Sequence, residues 1–256
     1  MGLLHKIKHR NIINKTKSYK YNNHNQYDIC DYVVHFVFLE KYFIMKLPFF
    51  PLQSVFFPGE KVPLHIFEER YKQLINDCRK EAITFGIPVY IDENIAFGTE
   101  VQLMEVVNTY ESGAMDVVCV ARQIFRVISF ENSMNNRLYA GGEVQFIDNI
   151  KDSELSAKEG VFQKLKELYQ LMEVPFAPIE LEMFNSYTLA HKMGLSFEQE
   201  YQLLQLASEK ERLEFIMNHL LTTIQVLNEV NRTKILIELN GHFRNFDPLD
   251  FKAFKI

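Results

Sequence analysis

The sequence predicts an α+β protein, an antiparallel β-barrel followed by an α-helical bundle. Three observations predict it. Between residues 47 and 147, short apolar runs are separated by Pro, Gly, Asn and Ser breaks, the pattern of strands joined by turns. From Ser153 onward the apolar residues fall at helical spacing. The chain has 256 residues, 47% hydrophobic and 24% charged, enough to bury the core of one large domain or two small ones. The expected divisions are residues 1–44, an extension; 45–150, the barrel; 151–240, the helical bundle; and 241–256, an aromatic tail.

Residues 1–44 stand apart in composition. They carry seven basic and three acidic side chains, about +4, whereas residues 45–256 carry 21 basic and 30 acidic ones, about −9. Two readings fit this piece: a basic tail that touches nucleic acid or membrane, or a stretch upstream of the natural start with Met45 as the first residue. Its Lys/Asn/Ile/Tyr/Phe bias favours the second. Val33 to Leu39 is too short for a secretion signal and lacks a small-residue cleavage site.

The stretch LPFFPLQSVFFPGEKVPLHIFEER, Leu47 to Arg70, organises the rest. Proline has no N–H and is confined to strand starts, edges and bulges. Phe49 to Leu52 therefore reads as a short extended piece, and Val55-Phe56-Phe57 as a second apolar run. Pro58-Gly59 fits a type II turn, with glycine at the position that needs positive φ. Val62 to Phe67 is a third extended piece. Glu68-Glu69-Arg70 opens a helix that carries Tyr71, Leu74, Ile75 and Cys78 on one face, its acidic start matched to the helix dipole.

Ile83 to Ile91 reads as a strand with Pro88 at an edge. Gly98 to Thr109 and Met115 to Ile128 are strands around a Glu111-Ser112-Gly113 hairpin turn, and Tyr139 to Ile147 is the last. Gly141-Gly142 suggests a bulge or a close backbone approach. Among the helices, Ser156 with Glu159 fits a capping box, followed by Val161, Leu165, Leu168, Leu171 and Met172 on one face. Glu180 to Met193 reads as a second helix, and Ser196 caps a third from Phe197 to Leu206. Ser208 with Glu211 caps a fourth, with a stripe from Leu213 to Val230 and an end at Asn240-Gly241.

The Leu47–Cys78 stretch resembles the start of the N-terminal substrate-binding domain of the Lon protease family, in its stand-alone bacterial form. The likeness rests on Phe50-Pro51-Leu52, Val55, Phe57-Pro58-Gly59, Pro63-Leu64-His65-Ile66-Phe67-Glu68, Arg70-Tyr71, Leu74 and Asp77-Cys78. It continues through Phe97-Gly98-Thr99 and Arg122 to Val127. The resemblance implies a PUA-like barrel and a module that recognises unfolded or exposed peptide segments, an adaptor in protein quality control that works beside a separate ATPase or protease. It implies no cofactor and no metal.

The phosphate-cradling GxxxxGK[ST] loop and the Lon protease signature are both absent, so the chain reads as non-enzymatic. His65 in its apolar run reads as a core or hydrogen-bonded histidine, Glu68-Glu69 as dipole partners, and Cys78 and Cys119 as buried, inert thiols. Three scattered cysteines without CxxC spacing suit a reducing cytoplasm. His5 and His9 have i, i+4 metal spacing in the extension. Nucleic acid is disfavoured by the −9 balance, although Arg122, Arg126 and Arg137 leave a local patch open, and with it an RNA-binding alternative. A hydrolase is the second alternative. A membrane partner is not expected. For peptide recognition two places are expected, an open edge of the proline-rich strands at Phe49–Leu52, with Phe49 and Phe50, or at Val62–Phe67, and the groove between barrel and helices; Glu69, Arg70 and Gln73 are expected to form the rim.

Overall fold

A computed structural model describes residues 44–176 and 179–243. The readings that concern residues 1–43, including His5 and His9, and the tail beyond Phe243 lie outside the described residues. Six strands form one sheet: β1 (Ile44–Pro48), β2 (Lys61–Ile66), β3 (Phe85–Pro88), β4 (Phe97–Thr109), β5 (Met115–Val127) and β6 (Gly141–Phe146). The order is β1-β6-β5-β4-β3, every ladder is antiparallel, and β2 pairs with the first half of β5.

The sheet curls back on itself. Just past β1, Phe49 N–H donates to the Ala140 carbonyl at 2.8 Å, Phe50 N–H to Gly86 at 2.9 Å and Leu52 N–H to Pro88 at 3.1 Å. The continuation of the first strand therefore lies parallel to β3, through single bridges rather than a continuous ladder. Gly142 permits this curl, because a Cβ there would collide with the Ser129 carbonyl and touch the Phe49 ring at 3.0 Å. Gly59 has φ +94° and Glu60 N–H donates to the Phe57 carbonyl at 3.2 Å, the expected turn.

Four helices accompany the sheet: α1 (Glu69–Glu81), α2 (Leu155–Leu171), α3 (Phe197–Gln205) and α4 (Glu209–Phe243). Tyr71, Leu74, Ile75 and Cys78 of α1 pack on Val62, Ile66, Phe85 and Val101 inside the sheet. A larger core joins sheet residues Val55, Phe57, Val89 and Ile124 to α2, α3 and α4. No helix among the described residues is long and apolar enough to cross a membrane.

The helical half departs from expectation at several points. Leu181–Met183 and Ala190–Lys192 form only short 3-10 turns, not one helix over 180–193. Asn185 and Thr188 side chains bond the local backbone there, and Ser186 N–H turns to Glu209 at 2.8 Å, so this backbone has partners other than helix carbonyls. Ser156 is inside α2 and does not cap it, because the helix starts at Leu155 with Glu154 in the N-cap position. Met172 lies just past the end of α2 with 40% of its surface exposed. The α4 stripe is buried to Ile224, but Val230 is exposed, and the helix runs through Asn240-Gly241 to Phe243. A glycine costs a helix only about 1 kcal/mol, too little to stop it alone. Ser196 does cap α3, in a reciprocal box with Gln199.

Candidate functional site

β2 is the strand to build from. It pairs with β5 on one side, and its other edge has no backbone partner among the described residues. Strand alternation turns Val62 and Ile66 inward and Pro63 and His65 outward. The register sets His65 opposite Asp116, and Asp116 opposite Asn108 of β4. His65 Nδ1 and Asp116 Oδ1 are 2.6 Å apart, and Tyr110 donates its hydroxyl to Asp116 Oδ2 at 2.6 Å. The hydrogen bond from His65, then that from Tyr110, holds the Asp116 carboxyl below its ordinary range, and the same bond raises the Tyr110 hydroxyl. A charged carboxylate accepts, so His65 donates from Nδ1.

Around this pair lies exposed apolar surface. The His65 ring is 6.0 Å from Phe67 and 5.9 Å from Tyr110. Phe67 is 63% exposed, and Met104 and Val107 of β4 are as open. Met104 and Val107 are the extra residues where the β4–β5 register shifts, and bulges of this kind aim side chains away from the ladder. Lys72 of α1 reaches the hairpin turn, donating to the Ser112 carbonyl at 2.9 Å and to Glu69 at 2.8 Å. The result is an aromatic surface with a charged border beside a free strand edge.

The structure brings some of the expected residues here and leaves others apart. Glu69 is exposed beside this surface, paired with Lys72. Arg70 pairs with Glu68 and lies 4.5 Å above the Tyr71 ring. Gln73 faces the other way, accepting from Leu138 N–H at 2.7 Å. Phe49 and Phe50 are core residues, a correction to the expected edge, because their segment is hydrogen-bonded to β6 on one side and β3 on the other. Phe49 stacks on Phe125 and Phe130, and Phe50 supports Tyr71 at 4.0 Å. His65 is hydrogen-bonded but exposed. Cys78 and Cys119 are buried, with burial pushing both thiols up to about 12.

Of the three arginines of the expected patch, Arg126 is exposed on β5 with no ion-pair partner among the described residues. Arg137 is tied to Asp77 and Glu81 of α1, and Arg122 donates to Gln102. Among the described residues no group of three or more His, Cys, Asp or Glu could hold a metal ion. The expected groove between barrel and helices exists as a cleft of about 380 Å³, but its lining is mostly polar. Behind it Arg212, 1% exposed, donates to Glu209, Ser186, Asn149 and the Leu206 and Ala207 carbonyls. Every charge in this knot is paired, which makes it a structural brace. His65, Phe67, Tyr110 and Asp116 escaped the sequence reading as a group because the β2–β5 register that joins them spans about 50 positions; an outward His two residues before an exposed Phe was the only local sign.

Comparison with known families matches residues 46–222 to the ATP-dependent protease La (LON) substrate-binding domain. Among solved structures, the chain is similar to a Lon N-terminal domain protein from Xanthomonas campestris, with 28% identity, TM-score 0.55, and 68% of this chain and 98% of that one covered. It is also similar in fold to the N-terminal domain of a Mycobacterium avium complex Lon protease, with 15% identity, TM-score 0.52, and 69% and 98% covered. No match is found among curated proteins.

Proposed function

The chain belongs to the LON substrate-binding domain family, and from that premise we propose that it is a non-catalytic module that recognises unfolded or exposed peptide segments, an adaptor in cytoplasmic protein quality control that serves a separate ATPase or protease. The observation that carries this reading is the free edge of β2 beside the exposed Phe67–His65–Tyr110 cluster. An extended segment added to that edge would take main-chain hydrogen bonds from β2 and seat alternate side chains on the aromatic surface. Glu69 and Arg70 form its charged border. Gln73 acts from behind by bracing the loop at Leu138, Phe50 as core support beneath Tyr71, and Phe49 as core support against Phe125 and Phe130.

The test is fluorescence anisotropy of the full chain with a labelled, permanently unfolded protein and with a structured RNA. The unfolded protein is expected to bind and the RNA not. Phe67→Ala with Tyr110→Ala should weaken binding about tenfold or more. Both side chains are exposed, so the melting temperature should stay within the small range of surface substitutions. Unchanged affinity in the double variant would remove this surface from the site, and binding of RNA alone would overturn the reading.

A further inference from the structure

The cleft between the sheet and the helical half has a chemistry that peptide recognition does not use. We propose that it binds a small oxyanion, a molecule bearing a phosphate or a carboxylate group. The argument is an inventory of donors. Lys151 and Lys158 line the cleft, and neither has an ion-pair partner among the described residues. Asn149 Oδ1 accepts from Arg212 at 2.6 Å. A guanidinium has no acceptor, so the amide cannot be the other way round, and the Asn149 NH₂ is left to donate elsewhere. Asn185 Oδ1 likewise accepts the Tyr187 backbone N–H at 2.9 Å, which leaves a second NH₂ free.

The acceptors in the same lining are largely committed. Glu209 receives Ser186 N–H, the Ser186 hydroxyl and Arg212, so its charge is answered inside the protein. Glu182, exposed on its 3-10 turn, is the one carboxylate of the lining without a partner among the described residues. Two ammonium groups and two amide NH₂ groups among the lining of a cleft of about 380 Å³ therefore suit a group that only accepts hydrogen bonds. The volume is that of a small-molecule site rather than of a lone ion.

Isothermal titration of the full chain with inorganic phosphate and, separately, with succinate tests this. Saturable binding of one probe is expected, and which one binds identifies the group. Lys151→Gln and Lys158→Gln should each weaken it about tenfold, whereas Lys80→Gln, on the far end of α1, should not. Glu182→Gln should tighten it by removing the opposing charge. In two-dimensional amide spectra the Asn149 and Asn185 side-chain NH₂ signals should move with the bound probe. Absence of saturable binding by both probes, or binding that both cleft lysine variants leave intact, would overturn the proposal.

Discussion

At the scale of single residues, His191 is the most informative. It lies on the 3-10 turn that replaces the expected second helix, and it bridges Glu60 of the sheet at 3.0 Å and Glu200 of α3 at 2.8 Å. Its ring also packs 5.1 Å from Phe57. The hydrogen bond to Glu60, reinforced by Glu200 against the opposing effect of burial, raises its pKa to about 9 from an ordinary 6.5. The folded protein thus keeps a proton that the unfolded chain releases. The clamp contributes fully below pH 6.5, and its contribution is lost as pH rises through about 9. His191→Gln should therefore lower the urea midpoint at about pH 6 and have little effect at about pH 10. Buried thiols and phenols titrate alike in both proteins and cancel in the difference. A wild-type-minus-variant difference that does not change with pH would rule the clamp out. The sequence hides this residue, since Glu60, His191 and Glu200 meet only after the sheet and the helices have packed.

At the scale of elements, legibility tracks locality. The Pro58-Gly59 turn, the start of α1 and the Ser196–Gln199 cap are set by residues within a few positions of one another, and each forms where the sequence predicts it. The segment 180–193 has helical apolar spacing, yet Asn185, Ser186 and Thr188 offer its backbone other partners, one of them as distant as Glu209. Periodicity does not register that competition. The curl of the sheet falls between these cases: Gly141-Gly142 announces a close approach, but not to what. The structure answers with the Ser129 carbonyl and the Phe49 ring. Gly142→Ala should therefore cost about 1–3 kcal/mol in chemical denaturation. Gly160→Ala is the matched control, since its Cβ would meet only the flexible end of Met217 at 3.3 Å. It should change stability by no more than about 1 kcal/mol. Equal effects of the two would mean that the curl tolerates a side chain.

At the scale of the whole molecule, the question is whether sheet and helices behave as one body. The sequence places a boundary at residue 150, between the last strand, which ends at Phe146, and the helix that begins at Leu155. It is not a boundary in the core, because Val55, Phe57, Val89 and Ile124 belong to the same cluster as α2, α3 and α4. Phe57 is the test residue. It is wholly buried, stacks on Tyr187 at 5.2 Å and touches His191, so it belongs to the sheet by sequence and to the helical half by contact. Phe57→Ala should cost about 3–5 kcal/mol, the usual loss for a large aromatic removed from a core. More tellingly, it should shift far-UV circular dichroism and tyrosine fluorescence together; the chain has no tryptophan to confuse the second signal. A shared core makes the two halves unfold in one transition. Two separated transitions in the variant would mean that the seam only glues together halves that fold independently. A single shifted transition would mean that the helices complete the sheet's core, and that the free edge of β2 is held in shape by residues far along the chain.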